Sequence, residues 1–321
     1  MKPRQTLTYS TLRRWHTCQR QYYWRVVREL SPGTSKAMNL GSVVHSALEA
    51  IESRQAWCPV IDEAFAQRAF DADQRRNHQI ATAMVGEYER RYPRFQVVCL
   101  EREFEVPIRN PDSGWPSRSF VFCGKVDGVI LSDRALWLLE HKTASNVDDT
   151  AYYERLWHDW QIALYVYALR ASGINVDAVL YSVLGKPRIE QHPGETEFEF
   201  DVRRSTLKDP KRAKRKVPET DEEFGARLGE WYARPESLRR VEIPMRAEHI
   251  ARAVAALWDS AKQILLAARI GYAQNLTACG GTYGQECPYA PICASGDSPM
   301  VVATYEHAPA HRELAPKEAT Q

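Results

Sequence analysis

The chain has 321 residues, 44% hydrophobic and 26% charged, which is ordinary soluble composition and enough to bury the core of one large domain, or of a domain with a helical elaboration. No apolar run approaches a membrane span, Met1-Lys2-Pro3-Arg4 leads into no signal-peptide core, and seven cysteines without an export signal argue for metal binding over a disulfide framework. The net charge of +2 conceals two basic blocks: seven Lys and Arg with no acid in residues 1–28, and eight against Asp209 alone in residues 203–216. Such blocks suit a polyanion, since bound phosphates release condensed counterions; a solvated arm and a loop are the plainer reading.

In chain order, Ser10 reads as the N-cap of a helix running toward Val27, with Leu12, Trp15, Cys18, Tyr22 and Val26 on one stripe. Pro32-Gly33 breaks the chain. A second helix spans about Leu40 to Arg54, and residues 60–91 read as further helix ending before Pro93. The period then changes to two, with strands near 97–108, 119–131 and 135–142. Trp157 to Arg170 is an amphipathic helix, Val176–Leu184 an apolar strand, and Glu195–Val202 a further strand. The basic stretch and Pro218–Glu223 read as loop or insertion, His249 to Ile270 as a long helix, and about the last fifteen residues as disordered. There is no internal repeat and no Walker-type phosphate loop, which excludes an ATP motor.

Ser132-Asp133 reads as the turn between two strands, which sets Asp127 opposite Leu138 and Lys125 opposite Glu140. In that register Asp127, Glu140 and Lys142 share one sheet face, with the two carboxylates as diagonal neighbours. Two carboxylates in one coordination sphere require a cation, and oxygen ligands suit Mg2+ or Mn2+. Lys142 can then orient a water or neutralise developing charge, while His141 points away and leaves its backbone carbonyl at the metal's edge. Taken alone, Glu140-x-Lys142 is equally an exposed strand ion pair, and a lone His45 a core histidine.

The ordered run Gly41-x3-His45, Gly124-x2-Asp127, Glu140-x-Lys142 and Gln161-x3-Tyr165 resembles the RecB-type branch of the PD-(D/E)XK nuclease superfamily. The resemblance spans about residues 8–295, and residues 203–240 have no counterpart in it. It implies an α/β nuclease core, a central mixed β-sheet flanked by helices, with an N-terminal helical region and a C-terminal cysteine cluster. The corresponding division is 1–95 (helical, with Cys18 and His45), 96–202 (nuclease core), 203–240 (basic loop or insertion), 241–298 (helix and cysteine cluster) and 299–321 (disordered tail). It also implies that His45, Asp127 and Glu140 bind the divalent metal, that Lys142 assists the nucleophile, and that Gln161 and Tyr165 help hold the substrate strand.

Some RecB-type nucleases, among them CRISPR-associated exonucleases, the AddB subunit and viral exonucleases, join one N-terminal and three C-terminal cysteines around a [4Fe–4S] cluster. Cys18, Cys279, Cys287 and Cys293 match that set, although seven residues separate Cys279 from Cys287 where the family has two. Four thiolates suit structural Zn2+ as well. Cys58, Cys99 and Cys123 read as packing residues.

The function expected is that of a metal-dependent DNA exonuclease acting on single-stranded DNA or DNA ends, in recombination, repair, or CRISPR or phage DNA processing. The setting is cytoplasmic, bacterial or phage-type, with no membrane partner. Tyr9, Trp15, Tyr22, Tyr23 and Trp24, interleaved with basic residues, fit strand stacking, with Trp15 and Tyr22 assigned to the core. The alternatives are a non-cleaving nuclease-fold module that binds DNA or docks onto a recombination or CRISPR-adaptation complex, and a structure-specific endonuclease.

Overall fold

A computed structural model describes residues 4–32, 40–66, 72–145, 147, 150–207, 213–280, 286–311 and 314. Lys2, Gly33, Lys208, Asp209, Lys211, Arg212 and Gly281-Thr282-Tyr283-Gly284 lie outside the described residues, as do residues 315–321 of the expected tail. The described chain opens with a strand too short to announce itself by alternation, β1 (Gln5–Leu7). Helix α1 (Tyr9–Thr17) follows, and its N-cap is Thr8 rather than Ser10. Thr8 and Thr11 exchange side-chain-to-backbone hydrogen bonds at 3.0 and 3.3 Å, a capping box that fixes the start. The single helix expected to reach Val27 is broken at Cys18, whose backbone is extended, and resumes as α2 (Gln19–Tyr22) and a π-helical turn, Tyr23–Val27.

After β2 (Leu30–Ser31), the 40–91 region forms α3 (Leu40–Glu52), α4 (Cys58–Ala66) and α5 (Ala72–Arg91). Next come β3 (Gln96–Arg109), β4 (Pro116–Ser132), β5 (Ala135–Ala144), α6 (Thr150–Leu156), α7 (Trp160–Ala171) and β6 (Val176–Gly185). The segment expected as a strand near Glu195–Val202 is instead α8 (Glu197–Thr206). Its Glu-Phe-Glu-Phe alternation mimics a strand, but Thr196 and Glu199 form a capping box, and Phe198 and Val202 stand exposed one turn apart. A second Thr-x-x-Glu box at Thr220 starts α9 (Asp221–Tyr232), which buries Phe224, Leu228 and Tyr232 at four-residue spacing. Strand β7 (Leu238–Pro244) and helix α10 (Ala247–Ile270) complete the main body.

The C-terminal segment carries α11 (Ala290–Ala294), α12 (Pro299–Val302) and β8 (Glu306–His307). β8 pairs antiparallel with β2, and the Arg25 guanidinium donates to the carbonyls of Ala308 and Pro309 at 3.1 and 2.7 Å. Residues 299–309 are thus docked on the N-terminal region instead of forming a free tail.

The main sheet is mixed, in the order β1-β4-β5-β6-β7 with β3 on the other side of β4. β5 and β6 are parallel, joined through α6 and α7, while β3/β4, β4/β5 and β6/β7 are antiparallel. Helices cover both faces, as a sheet with two apolar faces demands. One layer packs Leu12 and Trp15 of α1, Ile162 and Leu169 of α7 and Leu257 of α10 against Phe104, Val126 and Tyr181. The other packs Val44 and Leu48 of α3, Met84 and Tyr88 of α5 and Phe224 of α9 against Leu184 and Leu238.

The β4–β5 turn falls at Asp133-Arg134, one residue later than expected, so Ser132 pairs with Ala135 and Gly128 with Leu139. Both turn residues have positive φ, 49° and 66°, the pattern of a two-residue hairpin whose twist matches its strands. The register therefore differs by two residues from that read in the sequence. An even shift keeps every side chain on its expected face. It brings Asp127, the first residue past the end of the β4–β5 ladder, level with Glu140 rather than diagonal to it. Lys125 pairs with Glu103 of β3 and forms an ion pair with Glu101, not with Glu140.

Candidate active site

The long β4 has two partners along the same side: β1 beside Phe120–Phe122 and β5 beside Gly128–Ser132. Between them β4 and β5 part, and Asp127 stands at the fork. There the His141 N–H, beyond the end of the ladder, donates to Asp127 Oδ2 at 2.7 Å. A side chain replaces the missing strand partner, as a buried backbone donor requires.

The fork gathers side chains from both helical layers. His45, one turn into α3, brings Nδ1 to 3.5 Å from Asp127 Oδ2. From β5, Lys142 Nζ donates to Glu140 Oε1 at 2.7 Å and to Gln161 Oε1 of α7 at 3.0 Å. Gln161 Nε2 lies 3.3 Å from the same Glu140 oxygen. His45, Asp127, Glu140, Lys142 and Gln161 are therefore brought together. Tyr165 is only 8% exposed, with its ring edge-on to Phe104 at 5.4 Å, inside the main core one turn beyond Gln161. His141 faces the opposite layer, as expected, with its ring between those of His45 (6.0 Å) and Tyr88 (5.9 Å).

The electrostatics follow from burial at a charged fork. Burial pushes the Asp127 carboxyl up, but the hydrogen bond and charge of His45, with help from His141, more than offset this and hold it well below the usual carboxylate range. Burial and then the Asp127 charge push Glu140 up, to about 7, against the opposing pull of Lys142. Burial lowers His45, yet Asp127 and Glu140 raise it overall; Lys142 is likewise raised, mainly by Glu140 against its own burial. His141, desolvated, is lowered to about 3 and stays neutral. Two carboxylates, one of them resisting ionisation because of the other, form a donor set that a divalent cation would relieve. The hydrogen bonds to the two carboxylates fall on Asp127 Oδ2 and Glu140 Oε1, so the other oxygen of each is the one such a cation would take. Among the described residues no three His, Cys, Asp or Glu side chains, the cysteines included, stand in a metal-holding arrangement.

Residues not singled out from the sequence hold this centre. Asp159 caps α7, accepting the Gln161 N–H on Oδ1 at 2.9 Å, and accepts the Tyr181 hydroxyl on Oδ2 at 2.6 Å. An Asp two residues ahead of Gln161 is a readable N-cap signal, and it moves the helix start from Trp157 to Trp160. Gly124 of the Gly124-x2-Asp127 motif acquires a reason: a Cβ there would lie 2.5 Å from Phe104 Cζ, so the ring that packs on Tyr165 needs glycine beneath it.

The cysteines fall into two groups. Cys18 sits at the α1–α2 break rather than on a helical stripe, and its Sγ accepts the Asn275 N–H at 3.3 Å. Cys279 Sγ lies 3.6 Å from the carbonyl of the same Asn275, and Gln21 Nε2 donates to Cys287 Sγ at 3.1 Å. Cys293 interacts with Arg20, and the Cys287 N–H donates to the Cys279 carbonyl at 3.0 Å, so the ends of the intervening insertion touch. All four thus border one region between the N-terminal break and the C-terminal segment, and all are free thiols. Cys123 is buried and Cys99 half-buried, but Cys58 is exposed at the start of α4, so it is not the packing residue expected. Trp24, expected on a stacking surface, is 1% exposed in a small core with Cys287, Tyr289 and Ile292.

A mixed sheet between two helical layers, with Asp127 and Glu140-x-Lys142 at a strand fork, defines a nuclease-type α/β architecture. The family model of the PD-(D/E)XK nuclease superfamily matches residues 6–294, and the chain belongs to that superfamily. It is thereby a nuclease by family, and the superfamily generally acts on DNA with Mg2+ or Mn2+. Among solved structures, one described as the crystal structure of SSO0001 aligns over 89% of this chain and 95% of its own, at 12% identity and a TM-score of 0.33. No curated protein matches the chain. No helix among the described residues is long and apolar enough to cross a membrane.

Proposed function

We propose that this chain is a metal-dependent DNA exonuclease of RecB-like type, acting on single-stranded DNA or DNA ends in recombination, repair, or CRISPR or phage DNA processing. The observation that carries the reading is the fork, where a Lys142 ammonium is gripped by Glu140 and Gln161 beside Asp127 and His45. His45, Asp127, Glu140 and the His141 backbone carbonyl hold Mg2+ or Mn2+, hard cations suited to a carboxylate-rich donor set. The cation supplies Lewis-acid polarisation of the phosphoryl oxygen and charge compensation at the leaving oxygen. Lys142, kept protonated by Glu140, orients the attacking water and offsets negative charge gathering on the phosphate. Gln161 aims the ammonium. Tyr165, with little surface left for a strand, acts as a positioning residue through Phe104.

The test is digestion of 5′- and 3′-labelled single and double strands with Mn2+, with Glu140→Ala as control. Progressive loss from one end, absent in the variant, is expected. Cutting of circular single strands would turn the assignment to a structure-specific endonuclease. Tight binding without cleavage, with Asp127→Ala equal to wild type in cells, would turn it to a docking module for a recombination or CRISPR-adaptation complex.

Cys18, Cys279, Cys287 and Cys293 are proposed to hold a [4Fe–4S] cluster that ties the chain ends together, with Zn2+ as the alternative. The support is their convergence around Asn275, Arg20 and Gln21. Anaerobically purified protein should be brown, with about four iron and about four sulfide per chain. Stoichiometric zinc without sulfide would overturn the assignment, and Cys18→Ser should cost stability more than chemistry.

A further inference from the structure

A cavity of about 360 Å³ opens at the N-terminal end of α7, between the segment Trp157–Trp160 and the first turns of α10. Its volume is at the small end of the ~300–1,000 Å³ range of small-ligand sites. The walls carry two kinds of surface: indole from Trp157, which is 38% exposed, and cationic or hydrogen-bonding groups from His158, His249 and Arg252. The His249 Nδ1 atom is buried without a hydrogen-bond partner, and the His158 and His249 rings stand 6.4 Å apart. Neither Arg252 nor His158 is taken up by an ion pair among the described residues. His16, by contrast, is committed, with Nε2 2.9 Å from Ser260 Oγ.

The acid lining the cavity, Asp159, is the residue that caps Gln161 and accepts from Tyr181. Its carboxylate keeps its charge with both oxygens turned to these donors, so an anion in the cavity has to be held by Arg252 and His249 on the α10 wall. Asp159 also ties the cavity to the catalytic fork, because Gln161, two residues along the same helix start, grips Lys142. Asp159 and Gln161 are two residues apart, ~3 Å of helical rise. An aromatic face beside two imidazoles and a guanidinium, at the same helix start that supplies Gln161 to the proposed cleavage centre, has the chemistry that would bind a nucleotide: a surface for a base to stack on and groups for a phosphate.

We propose that this cavity seats the terminal nucleotide unit of the substrate strand, with the base on Trp157 and the terminal phosphate on Arg252 and His249. The proposal rests on the nuclease reading above and deepens it, because a pocket that takes one terminal nucleotide unit would select strand ends over strand interiors. His158 and His249 complete the phosphate side of the pocket, and none of these residues belongs to the motifs at the fork.

The test uses the full chain in chelator and fluorescence anisotropy with labelled linear single strands, bearing or lacking a phosphate at either terminus, and a circular single strand. Trp157→Ala should weaken linear-strand binding on the order of tenfold, within the range expected for losing one stacked base. It should leave the circular strand unchanged. Arg252→Ala should abolish a wild-type preference for a phosphorylated end. Both side chains are exposed, so unchanged thermal unfolding serves as the fold control. Unchanged linear-strand affinity in both variants overturns the proposal, as does an equal loss on the circular strand. A deoxynucleoside monophosphate that saturates the pocket without displacing the linear strand would assign it to released product, and overturn it too. Cleavage by wild-type protein in Mn2+ reports on the nuclease reading separately from these affinities.

Discussion

Replacing Asp159 by alanine removes two hydrogen bonds with one side chain. The first is the N-cap of α7 to Gln161, and the second is the acceptor of the buried Tyr181 hydroxyl. Loss of an N-cap costs about 1 kcal/mol. Stranding a buried hydroxyl costs about 1–3 kcal/mol more. Together they give a destabilisation of about 2–4 kcal/mol. With an unfolding entropy of ~2.1 cal/mol/K per residue over the whole chain, that is a fall in Tm of about 3–6 °C. Because the cap sets the azimuth of Gln161, cleavage in Mn2+ should fall as well, through a misplaced Lys142. Asp159→Asn separates the causes. Its amide oxygen still caps the helix and the Tyr181 hydroxyl can turn to accept from its amide nitrogen, so Tm should stay within about 1 °C of wild type. Calorimetry or circular dichroism melts on the three proteins, paired with the digestion assay, check both halves. An alanine variant that melts with wild type, or an asparagine variant as unstable as alanine, would refute the assignment of Asp159 as a hydrogen-bonded cap.

Gly124→Ala sets a Cβ 2.5 Å from Phe104 Cζ; overpacking of this kind costs about 1–3 kcal/mol, visible as a lower urea midpoint, and an unchanged midpoint would mean Phe104 is free to move. In metal-free protein Glu140, raised by burial and Asp127 to about 7 from an ordinary 4.5, keeps a proton that the unfolded chain releases. Its contribution to stability is therefore present at low pH and lost as pH rises from 4.5 through 7. His141, lowered by burial to about 3, works the other way, its contribution being lost as pH falls from 6.5 toward 3, so the diagnostic quantity is wild type minus Glu140→Gln across pH 4.5–7. A difference flat with pH would contradict the burial of that carboxyl. Mg2+ or Mn2+ at a hundred times its Kd should stabilise the chain by about 2.7 kcal/mol, and Asp127→Asn should abolish that gain in a melt; an equal gain in the variant would move the cation elsewhere.

The helices and strands that position the site were legible where a residue type has one local use. Gly41-x3-His45, Glu140-x-Lys142 and Gln161-x3-Tyr165 each lie within a single element, and their elements form where period and propensity indicate. Misreadings arose where two local signals competed. Glu197-Phe198-Glu199-Phe200 alternates like a strand, but the Thr196–Glu199 capping box starts a helix there. Cys18 satisfies a helical stripe by spacing, yet its extended backbone ends the helix and turns its sulfur toward Asn275.

Residue order alone determined the class of this protein, because carboxylates, lysine, histidine and glutamine at fixed spacings are a local property of the chain. It also placed Glu140 and Lys142 on one face of β5, since period-two alternation survives a register shift of two. Only the tertiary structure decided that β4 leaves β5 at Asp127, so that a carboxylate caps the His141 N–H. It alone set Asp159 between Gln161 and Tyr181, and closed residues 299–309 onto Arg25. Each of these depends on where two distant segments end relative to one another. That separation is fixed by packing across both sheet faces, and no local pattern encodes it.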